Sequence, residues 1–294
     1  MTAGQSSVMT EPAPGTAAVK LHDADVPRLT SAVFVQPHPD DVVLSVSALL
    51  CRAVEPLVVS VFSGVPHPSV RPSAADRLTG MTSPRERMME RRREDAEALA
   101  LYGATAVHLD FVELAHRTKM SPDGVVLRDD DESGIVPAIE EALMPVLASR
   151  TTIVAPLGIG GNPNHVQVAG AVRRVAARLG GPVVWYADYP YAAWFGWPHW
   201  VRGEEADSFL QPDALWEGAF EAAGVCESEA VVVSLSSEMQ AFKLGAFEKY
   251  RTQVSAVERG DLKAVSHPEH IRFEVMYGRF SGEAGVALGN HSVS

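Results

Sequence analysis

Cysteine is nearly absent. Cys51 and Cys226 are the only two among 294 residues, and both sit in apolar stretches. That is no disulfide framework and suits a reducing compartment. Basic charge is also short: 25 Lys and Arg stand against 37 Asp and Glu, giving −12 and a pI near 5.3. Such a balance argues against a nucleic-acid partner or an anionic membrane surface. No apolar run approaches the roughly 20 residues of a membrane span. The stretch MTAGQSSVMTEPAPGTAAVKLHDADVP has neither a basic n-region nor an apolar h-region, so no secretory signal is expected. Its Ala, Gly, Pro, Ser and Thr content reads as a disordered tail over residues 1–25. There is no internal repeat. What remains is a cytoplasmic chain whose 46% apolar content can fill the core of one domain over residues 26–294.

Short β-rich runs alternate with longer helical patterns. The strand candidates are 31–36, 56–62, 105–111, 151–156, 182–187 and 230–235, and the helical ones 41–54, 85–102, 136–149, 165–179 and 237–251. This alternation implies an α/β fold, a Rossmann-like, mainly parallel sheet sandwiched by helices. Sites in such sheets form where strand C-termini meet the loops that lead into helices. That singles out 36–41, 63–84, 111–134 and 157–165, with a long aromatic segment at 188–229 expected to close one side.

The first of these places reads VFVQPHPDDVVLSVSALL, a polar island between a strand and a helix. Asp40 and Asp41 suit a helix N-terminus, where free N–H groups and the dipole stabilise carboxylates, and Pro39 suits a first turn. Capping does not explain two adjacent carboxylates preceded by His38. A divalent cation does, because imidazole and carboxylate are ligands zinc accepts and the cation offsets the crowded charge. A further ligand is then needed. His165 stands in the parallel position, where the loop in IVAPLGIGGNPNHVQVAGAVRRV enters a helix. A helix-terminal surface histidine is the competing reading. Gly158-Ile159-Gly160 opens like a dinucleotide loop, but Pro163 occupies the third glycine position and the loop follows the fourth strand.

The PHPDD turn, VSVFSG in the second strand, RRREDAEALALYGA followed by VHLDF, APLGIGGNPNH, WYADYPYA and KLGAFEKYRTQ occur together and in order over residues 31–254. This set resembles the PIG-L/LmbE-like zinc N-deacetylases. The resemblance implies a single zinc ion on His38, Asp41 and His165, with Asp40 as the free general base. It also places Arg91 and Glu94 at the family's R-x-x-E, with Arg91 toward substrate. Asp188 and Tyr191 would line the pocket; ordinary turn chemistry is the alternative for both. Lys243, Tyr250 and Gln253 match a late helix and are better read as packing.

The chain departs from the family in its second metal loop. The common H-x-D-H is Asn162-Pro163-Asn164-His165 here, so only the ligand histidine is kept. Asn162 can still donate a neutral hydrogen bond to an oxyanion, as side-chain amides do in some acyl-transfer sites. The expected function is a zinc-dependent hydrolase that removes an N-acetyl group from an amino sugar, a sugar-thiol conjugate or a secondary-metabolite intermediate. The alternative is a repurposed, non-catalytic relative that binds a sugar-like ligand. Either would have a small-molecule partner, and a homo-oligomer is left open.

Overall fold

One of the strands without an exposed residue lies inside the sheet, next to the site. Ala32–Gln36 is buried at every position because helices cover both sides. The structure, a computed structural model, describes residues 18–72, 76–77, 80–121, 126–128, 133–203, 212–224, 230–258 and 265–278. In chain order its elements are β1 (Val19–His22), β2 (Ala32–Gln36), α1 (Asp41–Cys51), β3 (Leu57–Ser60), α2 (Pro84–Ala100) and β4 (Thr105–His108). A small antiparallel pair, β5 (Thr118–Met120) and β6 (Val126–Arg128), comes next, then α3 (Ile135–Leu147), β7 (Thr152–Pro156), α4 (Pro163–Leu179) and β8 (Val183–Tyr186). The remainder comprises α5 (Tyr191–Phe195), α6 (His199–Arg202), α7 (Pro212–Ala223), β9 (Ala230–Ser234), α8 (Ser237–Phe247), α9 (Arg251–Val257), α10 (Pro268–Ile271) and β10 (Phe273–Tyr277).

Eight strands form one sheet in the order β1-β9-β10-β8-β7-β2-β3-β4, and β10 alone runs antiparallel to its neighbours. The period-two alternation of strand side chains splits the core in two. Phe34, Val58, Val154 and Val184 point to the side covered by α1 and by Trp197, Trp216 and Tyr250. Val33, Val35, Val59 and Ile153 point to the side where Ile139 and Leu143 of α3 and Val168 and Val172 of α4 pack. The six expected strands are present within a residue or three of their expected ends. The chain order reverses between β2, whose next strand pairs on one side, and β7, which pairs on the other. The crevice at the C-terminal ends of β2 and β7 is therefore the topological switch point.

Three expectations need correction. The tail assigned to 1–25 is too long, because Val19–His22 pairs in parallel with β9; residues 1–17 lie outside the described ones. The segment 188–229 is not simply a loop: it carries α5, α6 and α7, and Trp197, Trp216 and Phe220 enter the core. The helix expected at 237–251 stops at Phe247 and restarts at Arg251, with Tyr250 out of helical geometry at the join. The loops 63–84, 111–134 and 188–229 lie partly outside the described residues, as does Cys226. Among the described residues, no helix is long and apolar enough to cross a membrane.

Candidate metal centre

The chain leaves β2 at Gln36 and turns into α1 within four residues. Asp40 makes this turn in the left-handed region, with φ 112° and ψ −29°. For a residue other than glycine that backbone costs on the order of 1–3 kcal/mol and persists only where surrounding contacts enforce it. Two contacts do so from opposite ends. The His38 N–H donates to Asp41 Oδ2 at 2.7 Å, and the Val42 N–H donates to Gln36 Oε1 at 3.0 Å. Gln36 is in turn fixed by the buried Asp95 of α2, which also accepts from Ser60 Oγ and Tyr250 Oη. The charged run of α2 thus has a buried polar face of Arg91, Glu94 and Asp95, of which Arg91 and Asp95 support the turn.

The second contributor arrives from β7. Asn162 caps α4 by accepting the Asn164 N–H at 3.0 Å, and Pro163 fills the first helical position. One turn inside, His165 is buried and faces His38. His38 Nδ1 and His165 Nε2 are 3.2 Å apart, and each lies 3.5 Å from Asp41 Oδ2. Tetrahedral zinc with bonds of about 2.0–2.1 Å requires ligand atoms about 3.3–3.4 Å apart. The three atoms form a triangle of that size. Among the described residues, this is the group of His, Cys, Asp or Glu side chains disposed to hold a metal ion.

Behind His165, Asp188 accepts from its Nδ1 at 2.6 Å and takes the backbone N–H groups of Gly158 and Ile159 on its other oxygen. That fixes the proton on Nδ1 and leaves Nε2 facing the triangle. The expectation that Asp188 lines the pocket is therefore wrong. It is fully buried with both oxygens engaged, and it orients His165 instead.

Electrostatics separate the two adjacent carboxylates. Burial pushes the Asp40 carboxyl well above the usual carboxylate range, and neighbouring Asp41 adds to this against Arg91 and His165. Burial acts the same way on Asp41, but the charge on His165 and the hydrogen bonds from His38 outweigh it and hold Asp41 low. Burial disfavours the His165 imidazolium; Asp41 and Asp188 outweigh that and push it up to about 9.

These groups form the floor of a cleft of about 660 Å³. Asp40 is free of the triangle and lines the cleft, as do Asn162, Tyr191 and Trp194. Tyr191 accepts from Asn162 Nδ2 at 2.7 Å, and its ring stands edge-on to His165. A Cβ on Gly160 would meet that ring at 2.6 Å, and Gly160 has φ +89°, so only glycine lets Tyr191 close in. Burial pushes the Tyr191 phenol up to about 12, which keeps its O–H protonated.

Arg91 reaches the wall, but its head is already engaged. It donates to Glu113 Oε1 at 2.8 Å and to the Pro39 carbonyl at 3.3 Å, while its buried Nε has no partner among the described residues. Glu94 accepts from the N–H and hydroxyl of Thr252, pinning α9 beside the cleft. His67 bonds Ser69 and His116 faces Asp76; neither lines the cleft.

Sequence reasoning missed Glu113. Arg91 holds this carboxylate below the usual range against its burial, and its one sequence signal is its place in the loop after β4. Trp194 was legible only as one of several aromatics, and Trp197 and Trp200 pack against Trp216 instead of the cleft.

Residues 33–176 match the family model for PIG-L, described as GlcNAc-PI de-N-acetylase. The 2'-N-acetylparomamine deacetylase of Streptomyces fradiae is 32% identical over 170 residues, which are 56% of this chain and 59% of that relative's length. Two solved structures share the fold. The zinc-inhibited form of teicoplanin deacetylase Orf2 matches with a TM-score of 0.63 at 21% identity, over 85% of this chain and 97% of its own. The A40926 pseudoaglycone deacetylase Dbv21 matches with a TM-score of 0.60 at 22% identity, over 84% and 96%.

Proposed function

This chain belongs to the PIG-L family, and from that membership and the geometry of its cleft we propose that it is a zinc-dependent N-deacetylase of an acetylated amino sugar carried on a larger polar conjugate. The observation that carries the reading is the pairing of a zinc-sized triangle, His38, Asp41 and His165, with a free carboxylate beside it, Asp40. A bound zinc ion would polarise the acyl carbonyl and lower the pKa of a water toward neutrality.

The protein's own residues supply the rest. Asp40, lifted above the ordinary carboxylate range, takes a proton from the attacking water. As the C–N bond breaks, that proton passes to the departing amine nitrogen, so acetate and the free amine leave and Asp40 is restored. Asn162 donates one N–H to Tyr191 and spends its carbonyl oxygen on the Asn164 N–H, which leaves one N–H. That N–H and the Tyr191 O–H are the neutral donors at hand for developing negative charge on the acyl oxygen. Neither gives up a proton near neutrality, so the acid–base work falls on Asp40.

The relative from Streptomyces fradiae removes an N-acetyl group from 2'-N-acetylparomamine by its name, and this cleft suits a sugar-bearing substrate. Trp194 is 39% exposed and stands edge-on to Tyr191, offering a face on which a sugar ring can stack. Glu113 also lines the cleft and stays ionised, so it can accept from hydroxyl or ammonium groups.

The test is metal content of wild type and His165→Ala, followed by acetate release from N-acetylated amino sugars and aminoglycosides. One zinc per wild-type chain, lost in the variant, with acetate released, is the expected result. Zinc bound but no turnover on any acetylated amine would favour the sugar-binding alternative. No zinc in the wild type after reconstitution would overturn the metal reading.

A further inference from the structure

Asn164 stands where the resembling family carries an aspartate, and it touches the proposed metal site from outside. It is buried, and its Nδ2 lies 2.8 Å from His38 Nε2. Its Oδ1 is buried without a hydrogen-bond partner among the described residues. The other ring nitrogen of His38, Nδ1, is the one in the three-atom triangle.

A neutral imidazole carries one proton on one of its two nitrogens. For Nδ1 to offer its lone pair to a cation, the proton must be on Nε2, and that N–H then needs an acceptor. The present orientation, with Asn164 Nδ2 donating to Nε2, serves the opposite tautomer. In that tautomer Nδ1 carries the proton and aims it at His165 Nε2, 3.2 Å away. Since no described residue holds Oδ1, a half-turn of the amide breaks nothing on that side and brings an acceptor to Nε2. An aspartate could accept only.

We propose that Asn164 is a positioning residue for His38, an uncharged amide that serves either ring tautomer by turning and so lets His38 present Nδ1 to the metal. The inference rests on the zinc reading above. It assigns the N-P-N-H loop a working role: the asparagine does the orienting that a carboxylate does elsewhere, without adding a further negative charge beside Asp40 and Asp41. Partners of this kind behind a ligating histidine are worth about 10–100-fold in metal affinity.

The experiment is zinc affinity by competition with a chromogenic chelator, together with the visible absorption of the cobalt-substituted protein. Both are measured for wild type, Asn164→Ala and Asn164→Asp, and melting of the metal-free proteins checks folding. The expected result is an affinity about 10–100-fold lower in Asn164→Ala with an altered cobalt spectrum, restored to wild-type strength or better in Asn164→Asp. Asn164→Ala binding zinc as wild type does, with an unchanged cobalt spectrum, overturns the inference and leaves the metal site standing. Asn164→Asp as weak as Asn164→Ala overturns it too, because the amide would then matter only as a donor. Should Asn164→Ala fail to fold, the Asn164→Asp arm decides alone. A wild type that takes up no zinc overturns the site and the inference together.

Discussion

Buried charge collects at two places along α1, in opposite states of completion. At the middle of the helix, Val46 leaves helical geometry (φ −144°, ψ 40°), and Glu274 of β10 accepts the Ala48 N–H at 3.0 Å. The other oxygen of Glu274 pairs with Lys243 of α8 at 2.9 Å, and the ammonium lies 5.4 Å from the centre of the Tyr189 ring. Both side chains are fully buried and one charge answers the other. At the N-terminus of the helix, Asp40, Asp41, His38 and His165 crowd together at the floor of a cleft, and three ligating atoms face a common point. A finished pair holds elements together. An unfinished cluster on a cleft leaves capacity for a cation and for a proton in transit. Burial alone does not tell these apart; completeness of pairing does.

The largest effect that would sharpen this contrast is on turnover. Asp40→Asn should lower kcat by about 10²–10⁴-fold while zinc content stays at the wild-type level. The wild-type rate should rise with pH through a limb above the ordinary carboxylate range, because burial and Asp41 raise the group that must lose its proton. Retained turnover in the variant would remove Asp40 as the base.

Next comes stability at the other cluster. Lys243→Met strands Glu274 and should cost about 3–5 kcal/mol in denaturant unfolding, whereas Lys243→Met with Glu274→Leu should recover most of that. A double variant as unstable as the single would mean that the pair does more than satisfy itself. Asp188→Asn tests the support behind the cleft and should weaken zinc about 10–100-fold with little change in melting of the metal-free chain. Equal zinc affinity would return Asp188 to a purely structural role. Tyr191→Phe should be the mildest: loss of one neutral hydrogen bond lowers kcat by about twofold to tenfold without changing zinc affinity. An effect confined to KM would make Tyr191 a binding residue only.

The strand–helix alternation was legible because both of its periods are local, and the HPDD turn because charge cannot crowd at a strand end without compensation. The antiparallel β10 was not, since the short run FEVMY at 273–277 carries no mark of its direction. β1 was hidden in a stretch whose composition resembles a tail, and its partner β9 lies some 200 residues away. The buried face of the charged helix α2 was hidden for a related reason. In sequence Arg91, Glu94 and Asp95 stand in an unbroken charged run, and only packing shows that they are its buried face.

The sequence by itself determined that two carboxylates and two histidines stand at strand ends in an α/β chain, because residue type and position within local elements are one-dimensional facts. Only the tertiary structure decided that β2 and β7 are neighbours, so that His38, Asp41 and His165 meet at zinc-like spacing while Asp40 stays free. It also moved Asp188 behind His165 and gave Glu113 to the cleft. The physical reason is that a metal site and a pocket are distances between elements, set by strand order and helix packing across the long stretches of chain that separate them.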